Sequence, residues 1–400
     1  MSILVKCPTW IEPIRFFDPI FQKTPECYIL NTRYQIPNTK YIMNLNDIKE
    51  ISNFDSGRVA ESIVLLPDQI SDAIKQAKRF SIPSSYRKVD KVVVSGMGGS
   101  NLGARIIASA FKDVLSVPMM IEAGYVVPNY VDKKTLFILS SYSGSTEETI
   151  STYAEAKKRK AKIVVISSKN SNNRLWDLMR KERLSGFIFD PIANPSKQPR
   201  MALGYALFGM IAILEKGGLL KVGNKAKERV IAELKASGKK LDIGVLDNPA
   251  KRVALEASGR QVFLVGGDFL EGNLHALRNQ FCENSKNIAS YLVLPDMNHY
   301  ALESLGNPLD NKDHLIFIFF KSALCGKEVQ RRLELTRQVV EKNGIKIVEW
   351  SLKSKTKLGQ AAEMLQAGSW ITFYLAFLNG VDPVKIPWVD WFKEKLAEGR

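Results

Sequence analysis

The chain has 400 residues, 45% of them apolar and 24% charged, with a formal net charge of +16. That size and apolar content fit two ordinary domains or one larger α/β body, and they exclude a disordered or fibrous chain. No apolar run approaches the roughly 18 residues of a membrane span, the first ten residues lack a secretory leader pattern, and the basic residues are scattered without aromatic interleaving, so a cytoplasmic protein with no membrane or nucleic-acid partner is expected.

In chain order, residues 41–77 show apolar positions at helical spacing: Leu45, Ile48 and Ile51, then Ile63, Ile70 and Ile74. After a Pro-Ser turn at 82–85 the pattern changes. Lys91 to Ser95 is a β-branched run ending in Gly96, the signature of a buried parallel strand. Further strands are predicted over 119–122, 135–140, 162–167 and 187–189, with helices over 102–112, 147–160 and 173–182 between them. Alternation of this kind points to a parallel sheet covered on both faces.

The theme then repeats. Gln261 to Val265 precedes Gly266-Gly267 and a helix over 270–284; strands follow at 290–294, 315–320 and 346–350, with a helix over 328–342. The charged, glycine-punctuated stretch 221–251 reads as the boundary between two related halves. Helices are expected again over 360–379 and 388–397, on either side of a turn at 380–383. The fold class predicted is α/β: two parallel-sheet αβα halves with a C-terminal helical tail. The domains expected are an extension over 1–42 with no assigned role, a first half over 43–245, a second over 250–355, and the tail over 356–400.

Two segments carry chemistry. Gly96-Met97-Gly98-Gly99-Ser100 lies directly between a strand and a helix, where glycines let backbone amides approach a ligand and the helix start favours phosphate. Its spacing is not that of a dinucleotide fingerprint. Ser140-Ser141-Tyr142-Ser143-Gly144-Ser145-Thr146 packs hydroxyls ahead of another helix start. One hydroxyl suffices for an N-cap; several converging hydroxyls suit phosphate oxygens. The cysteines, Cys7, Cys27, Cys282 and Cys325, form no CxxC pair, and the three histidines are scattered, so neither a metal nor a cofactor is expected.

The GMGGS and SSYSGSTEET segments resemble the SIS (sugar isomerase) domain. Gln198-Pro199-Arg200, Glu283-Asn284-Ser285-Lys286, Asn298-His299 and Leu378-Asn379-Gly380-Val381-Asp382-Pro383 narrow the resemblance to the bifunctional phosphoglucose/phosphomannose isomerase family, over about residues 44–396. The resemblance implies a hexose 6-phosphate substrate and phosphate ligands at Gly99, Ser100, Ser141, Ser143 and Thr146. It implies a general base at Glu283, an enediolate-facing cation at Arg200, and ring-opening groups at His299 and Lys393. It also implies a homodimer in which His299 serves the partner's site.

The residues themselves are of the right kind. Moving a proton between adjacent carbons needs a carboxylate, a cation facing the developing oxyanion and an acid–base pair for ring opening. The stretch 384–391, VKIPWVDW, is bulkier than the family pattern, and a threonine linked there to mannose 6-phosphate is absent, which leaves that epimer open. Another SIS-domain sugar-phosphate isomerase and a non-catalytic sugar-phosphate-binding protein are the alternatives.

Overall fold

The structure, a computed structural model, describes residues 44–398 apart from residue 171; the expected extension over 1–42 lies outside the described residues. The β-branched runs build two parallel sheets. In the first, β1 (Lys91–Gly96), β2 (Met119–Glu122), β3 (Thr135–Ser141), β4 (Lys162–Ser168) and β5 (Ser185–Phe189) lie in the order β2-β1-β3-β4-β5. In the second, β6 (Gln261–Gly267), β7 (Ala289–Leu294), β8 (Leu315–Lys321) and β9 (Lys346–Ser351) lie in the order β7-β6-β8-β9. Each half thus places its first strand between its second and third. The connections diverge there, beyond the carboxyl ends of the strands, and a crevice opens.

Before the first sheet come α1 (Ile48–Phe54), α2 (Val59–Val64) and α3 (Leu66–Ala77). Within and after it come α4 (Leu102–Ala110), α5 (Glu147–Lys158), α6 (Arg174–Glu182), α7 (Leu203–Lys216) and α8 (Asn224–Gly238). The second half has α9 (Pro249–Ala257), α10 (Glu271–Glu283), α11 (Asn311–His314), α12 (Lys327–Lys342), α13 (Lys357–Leu378) and α14 (Pro387–Glu398). Both sheets are covered on both faces, as their largely apolar central strands require. One core joins Val92, Leu136, Val164 and Phe187 to α3, α4 and α7; the opposite face carries Val93, Phe137 and Val165 under α5 and α6.

Two elements add to the expectation. The stretch 221–251 holds α8 and the start of α9. In α8 only Lys227, Val230 and Leu234 are buried, a stripe too thin to stand out among charges. The start of α9 was written in Asn248-Pro249: Asn248 caps the N–H groups of Ala250 and Lys251, and proline occupies the first turn. The second is α13, the first helix of the expected C-terminal helical segment. It is buried on all sides, with Leu358 and Leu365 in the first half's core and Trp370, Ile371 and Tyr374 in the second's. A helix apolar around its whole circumference belongs inside.

Candidate active site

The two predicted phosphate segments meet at the β1/β3 crevice. Parallel pairing sets Gly96 beside Ser140, so the turn after β1 and the loop after β3 emerge together. The Ser100 hydroxyl accepts from the Tyr142 N–H at 2.8 Å, and the Ser140 hydroxyl donates to the Ser100 carbonyl at 2.6 Å. Ser141 Oγ lies 2.7 Å from Thr146 Oγ1 and 3.3 Å from Ser143 Oγ, and the Gly144 N–H donates to Ser141 Oγ at 3.0 Å. Gly144 has φ +69°, which turns the loop back over these hydroxyls. Thr146 itself is the N-cap position of α5, and its side chain caps nothing there. The hydroxyls are therefore gathered at a helix start without being consumed by it, an arrangement suited to an anion.

Arg200 and Glu283 come from different halves and meet here. Arg200 sits in the 3-10 turn leading to α7, and Glu283 closes α10. Their Nη1 and Oε2 atoms are 3.3 Å apart, with the Arg200 side chain 2% exposed and that of Glu283 32%. The Gly98–Asn101 turn abuts the backbone of Arg200: a Cβ on Gly99 would lie 3.1 Å from its main-chain nitrogen. The carboxylate thus faces solvent while its cation is shut in. Burial works against the Arg200 charge and Glu283 works for it; an arginine stays protonated regardless.

All five Arg200 donors are engaged within the chain. Nε donates to Asn284 Oδ1 at 2.7 Å, Nη1 to Gln198 Oε1 at 2.9 Å as well as to Glu283, and Nη2 to the carbonyls of Pro383 and Val384 at 2.7 and 3.0 Å. Lys286 Nζ adds a bond to the Asp382 carbonyl. Sequence reasoning gave these partners no role, although Gln198, Asn284, Lys286 and Pro383 all stand in the segments that carried the resemblance. Thr372 on α13 accepts from Asn284 Nδ2 at 3.1 Å and had no such signal.

Two predicted residues are not drawn into this constellation. His299 is exposed on the 3-10 turn after β7, and among the described residues it forms no hydrogen bond or ion pair with Glu283 or Arg200. Lys393 is exposed on α14, a helix with no buried residue, and likewise forms none. The segment before α14 does close on Arg200 through the 383–384 carbonyls, so what returns to the site is that strap. Among the described residues no three metal-binding side chains cluster, and no helix is long and apolar enough to cross a membrane.

Two parallel α/β halves with hydroxyls gathered at the crevice of the first make an SIS-type fold, and comparison with known proteins agrees. Residues 85–174 match the SIS domain, and residues 246–396 match the bacterial phospho-glucose isomerase C-terminal SIS domain. A bifunctional phosphoglucose/phosphomannose isomerase of Caldicellulosiruptor bescii is 31% identical over 350 residues, covering 84% of this chain and 98% of the relative. That of Thermoplasma volcanium is 28% identical, covering 84% and 99%. The chain belongs to the bifunctional phosphoglucose/phosphomannose isomerase family. Among solved structures, a hypothetical protein of Thermus thermophilus shares the fold, with TM-score 0.68, 17% identity and coverage of 88% and 93%. So does the C-terminal domain of glucosamine-fructose-6-phosphate aminotransferase from Francisella tularensis, with TM-score 0.60, 14% identity and coverage of 80% and 96%.

Proposed function

We propose that this chain is an aldose–ketose isomerase that interconverts glucose 6-phosphate and fructose 6-phosphate, working as a cytoplasmic homodimer without a metal or cofactor. The reading is supported above all by one chain of contacts. The phosphate-cup turn at Gly99 abuts Arg200, and Arg200 holds the partly exposed carboxylate of Glu283 at 3.3 Å. A sugar anchored by its phosphate on Gly99, Ser100, Ser141, Ser143 and Thr146 would then present its other end to Glu283.

In this reading Glu283 removes the C2 proton of the open-chain aldose and returns it to C1, through a cis-enediolate. Arg200 supplies positive charge beside the developing oxyanion. Its hydrogen bonds already belong to Asn284, Gln198 and the 383–384 carbonyls, so its second task is to hold Glu283 and the strap in place. His299 of the partner subunit and Lys393 assist ring opening, which accounts for their exposure in one chain. The test is a coupled assay offering fructose, glucose and mannose 6-phosphates. Turnover between the first two is expected, and the third decides the second epimer. Binding of all three with no turnover would leave a sensor in place of an enzyme.

A further inference from the structure

The second half repeats the crevice of the first. Its four strands repeat the order of the first four of the other sheet, and beyond the carboxyl ends of β6 and β8 lies a cavity of about 690 Å³ between the halves. Lys357 opens α13 and pairs with Asp113, just past α4, at 2.7 Å. That pair echoes Arg200, ahead of α7, with Glu283 at the end of α10. The hydroxyls have no counterpart. β3 and β8 have the same length and the following helices start after the same interval, so Ser141, Ser143 and Thr146 correspond to Lys321, Ala323 and Gly326. A copy of the sugar-phosphate cup is therefore absent.

Another anchor stands in its place. Arg105 of α4 is half-buried in the cavity wall; its Nε donates to Asn101 Oδ1 at 3.2 Å, and among the described residues no carboxylate lies within ion-pair distance of it. Beside it, Arg278 Nη2 lies 3.2 Å from His275 Nε2, and His275 Nδ1 lies 3.4 Å from the Tyr291 hydroxyl. The cavity's acids are directed elsewhere than Arg105. Asp113 is matched by Lys357, and Asp268 accepts from the N–H of Phe269 at 2.9 Å. Asp268 and Glu271 remain against Arg105, Arg278 and exposed Lys112, and among the described residues neither forms an ion pair with any of the three. A half-buried, unmatched guanidinium costs desolvation energy that a counter-anion would offset.

We propose that this cleft is a second, non-catalytic binding site for a phosphate group, free or carried by a small metabolite, with Arg105 and Lys112 as its ligands. The site has a physical link to the first. α4 begins at the phosphate-cup turn and ends at the second cleft; α10 begins at the second cleft and ends with Glu283. The two helices touch backbone to backbone, since a Cβ on Gly272 would lie 2.3 Å from Arg105 carbonyl atoms. An anion held on α4, where it packs against α10, would bias the catalytic geometry.

Calorimetric titration of the full chain with inorganic phosphate and with 6-phosphogluconate tests this, and it reads binding independently of turnover. Two sites per chain are expected. Arg105→Gln and the exposed change Lys112→Glu should each weaken one of them roughly tenfold and spare the other, a loss typical of one charge-assisted contact. Ser143→Ala should do the reverse. Filling of the second site by phosphate alone identifies the free ion as sufficient; filling by 6-phosphogluconate alone identifies a larger phosphorylated acid. A single site per chain, or equal weakening of both sites by Lys112→Glu, overturns the proposal.

Discussion

At Gly144 a methyl group would stand 1.9 Å from Asn173 Oδ1, on a backbone already at φ +69°. The loop that gathers Ser141, Ser143 and Thr146 is therefore held by geometry that no larger residue reproduces. Ser143 contributes little to this scaffold, its contacts to neighbouring hydroxyls being 3.3 and 3.5 Å long. Ser143→Ala should leave the melting temperature unchanged and weaken substrate binding by about 1.5–3 kcal/mol, one charge-assisted hydrogen bond, read as a rise in KM. Glu283→Gln should act the other way. The amide keeps the shape and the Arg200 contact but cannot take a proton, so turnover should fall by about 10² to 10⁴ while binding of a phosphorylated sugar acid persists. Exchange of the substrate C2 hydrogen with deuterated solvent decides it: exchange at the wild-type rate would remove Glu283 from the role of base.

Among the elements, the C-terminal pair behaves oppositely. α13 is core, with Trp370 stacked on Tyr374 at 5.4 Å and 17°. α14 is exposed throughout and presents Trp388, Trp391 and Phe392 to solvent in the single chain. Between them the 382–384 strap is fixed by Arg200 and Lys286. Deleting residues 387–400 removes no buried side chain among those described, so thermal unfolding should shift by no more than about 0.5 kcal/mol. Turnover should nevertheless fall about 10²-fold through loss of Lys393 as a proton-transfer group. A truncated chain that folds and turns over at the wild-type rate would deny α14 any part in the site.

Two measurements address the whole molecule. His275 lies between α4 and β7. Burial, then the charges of Arg105 and Arg278, lower its pKa to about 3, and the Tyr291 hydroxyl lies beside it. In the unfolded chain it protonates near its ordinary 6.5. Between those values the unfolded state binds one more proton, so this contribution to stability is complete above pH 6.5 and declines by about 1.4 kcal/mol per unit as pH falls toward 3. Urea midpoints from pH 4 to 7 should show His275→Gln with a slope shallower by one proton; parallel slopes would refute the assignment. The second measurement concerns assembly. If His299 serves the partner's site, mixing inactive Glu283→Gln and His299→Ala chains should restore about a quarter of wild-type activity, because half the dimers are mixed and each holds one intact site. No recovery on mixing would confine His299 to its own chain or remove it from catalysis.

Much of this was legible in local sequence because the physics is local. A β-branched run ending in glycine makes a buried strand wherever it sits, and hydroxyls crowded before a helix start share one loop at any distance from the rest of the chain. The strands, the two-half α/β class, the family and the gathering of hydroxyls ahead of α5 all followed from such signals. The charged surface of α8 concealed a helix because its buried stripe is only three residues wide. The circumferential burial of α13 was hidden because a sequence gives a helix's apolar residues without saying how many neighbours surround them. The pairing of Arg200 with Glu283, 83 residues apart, and the use of every Arg200 donor by Asn284, Gln198 and the 383–384 carbonyls were decided by tertiary structure alone. The same holds for the second cleft. Long-range contacts of this kind depend on how two sheets are set against each other, and no spacing along the chain encodes that.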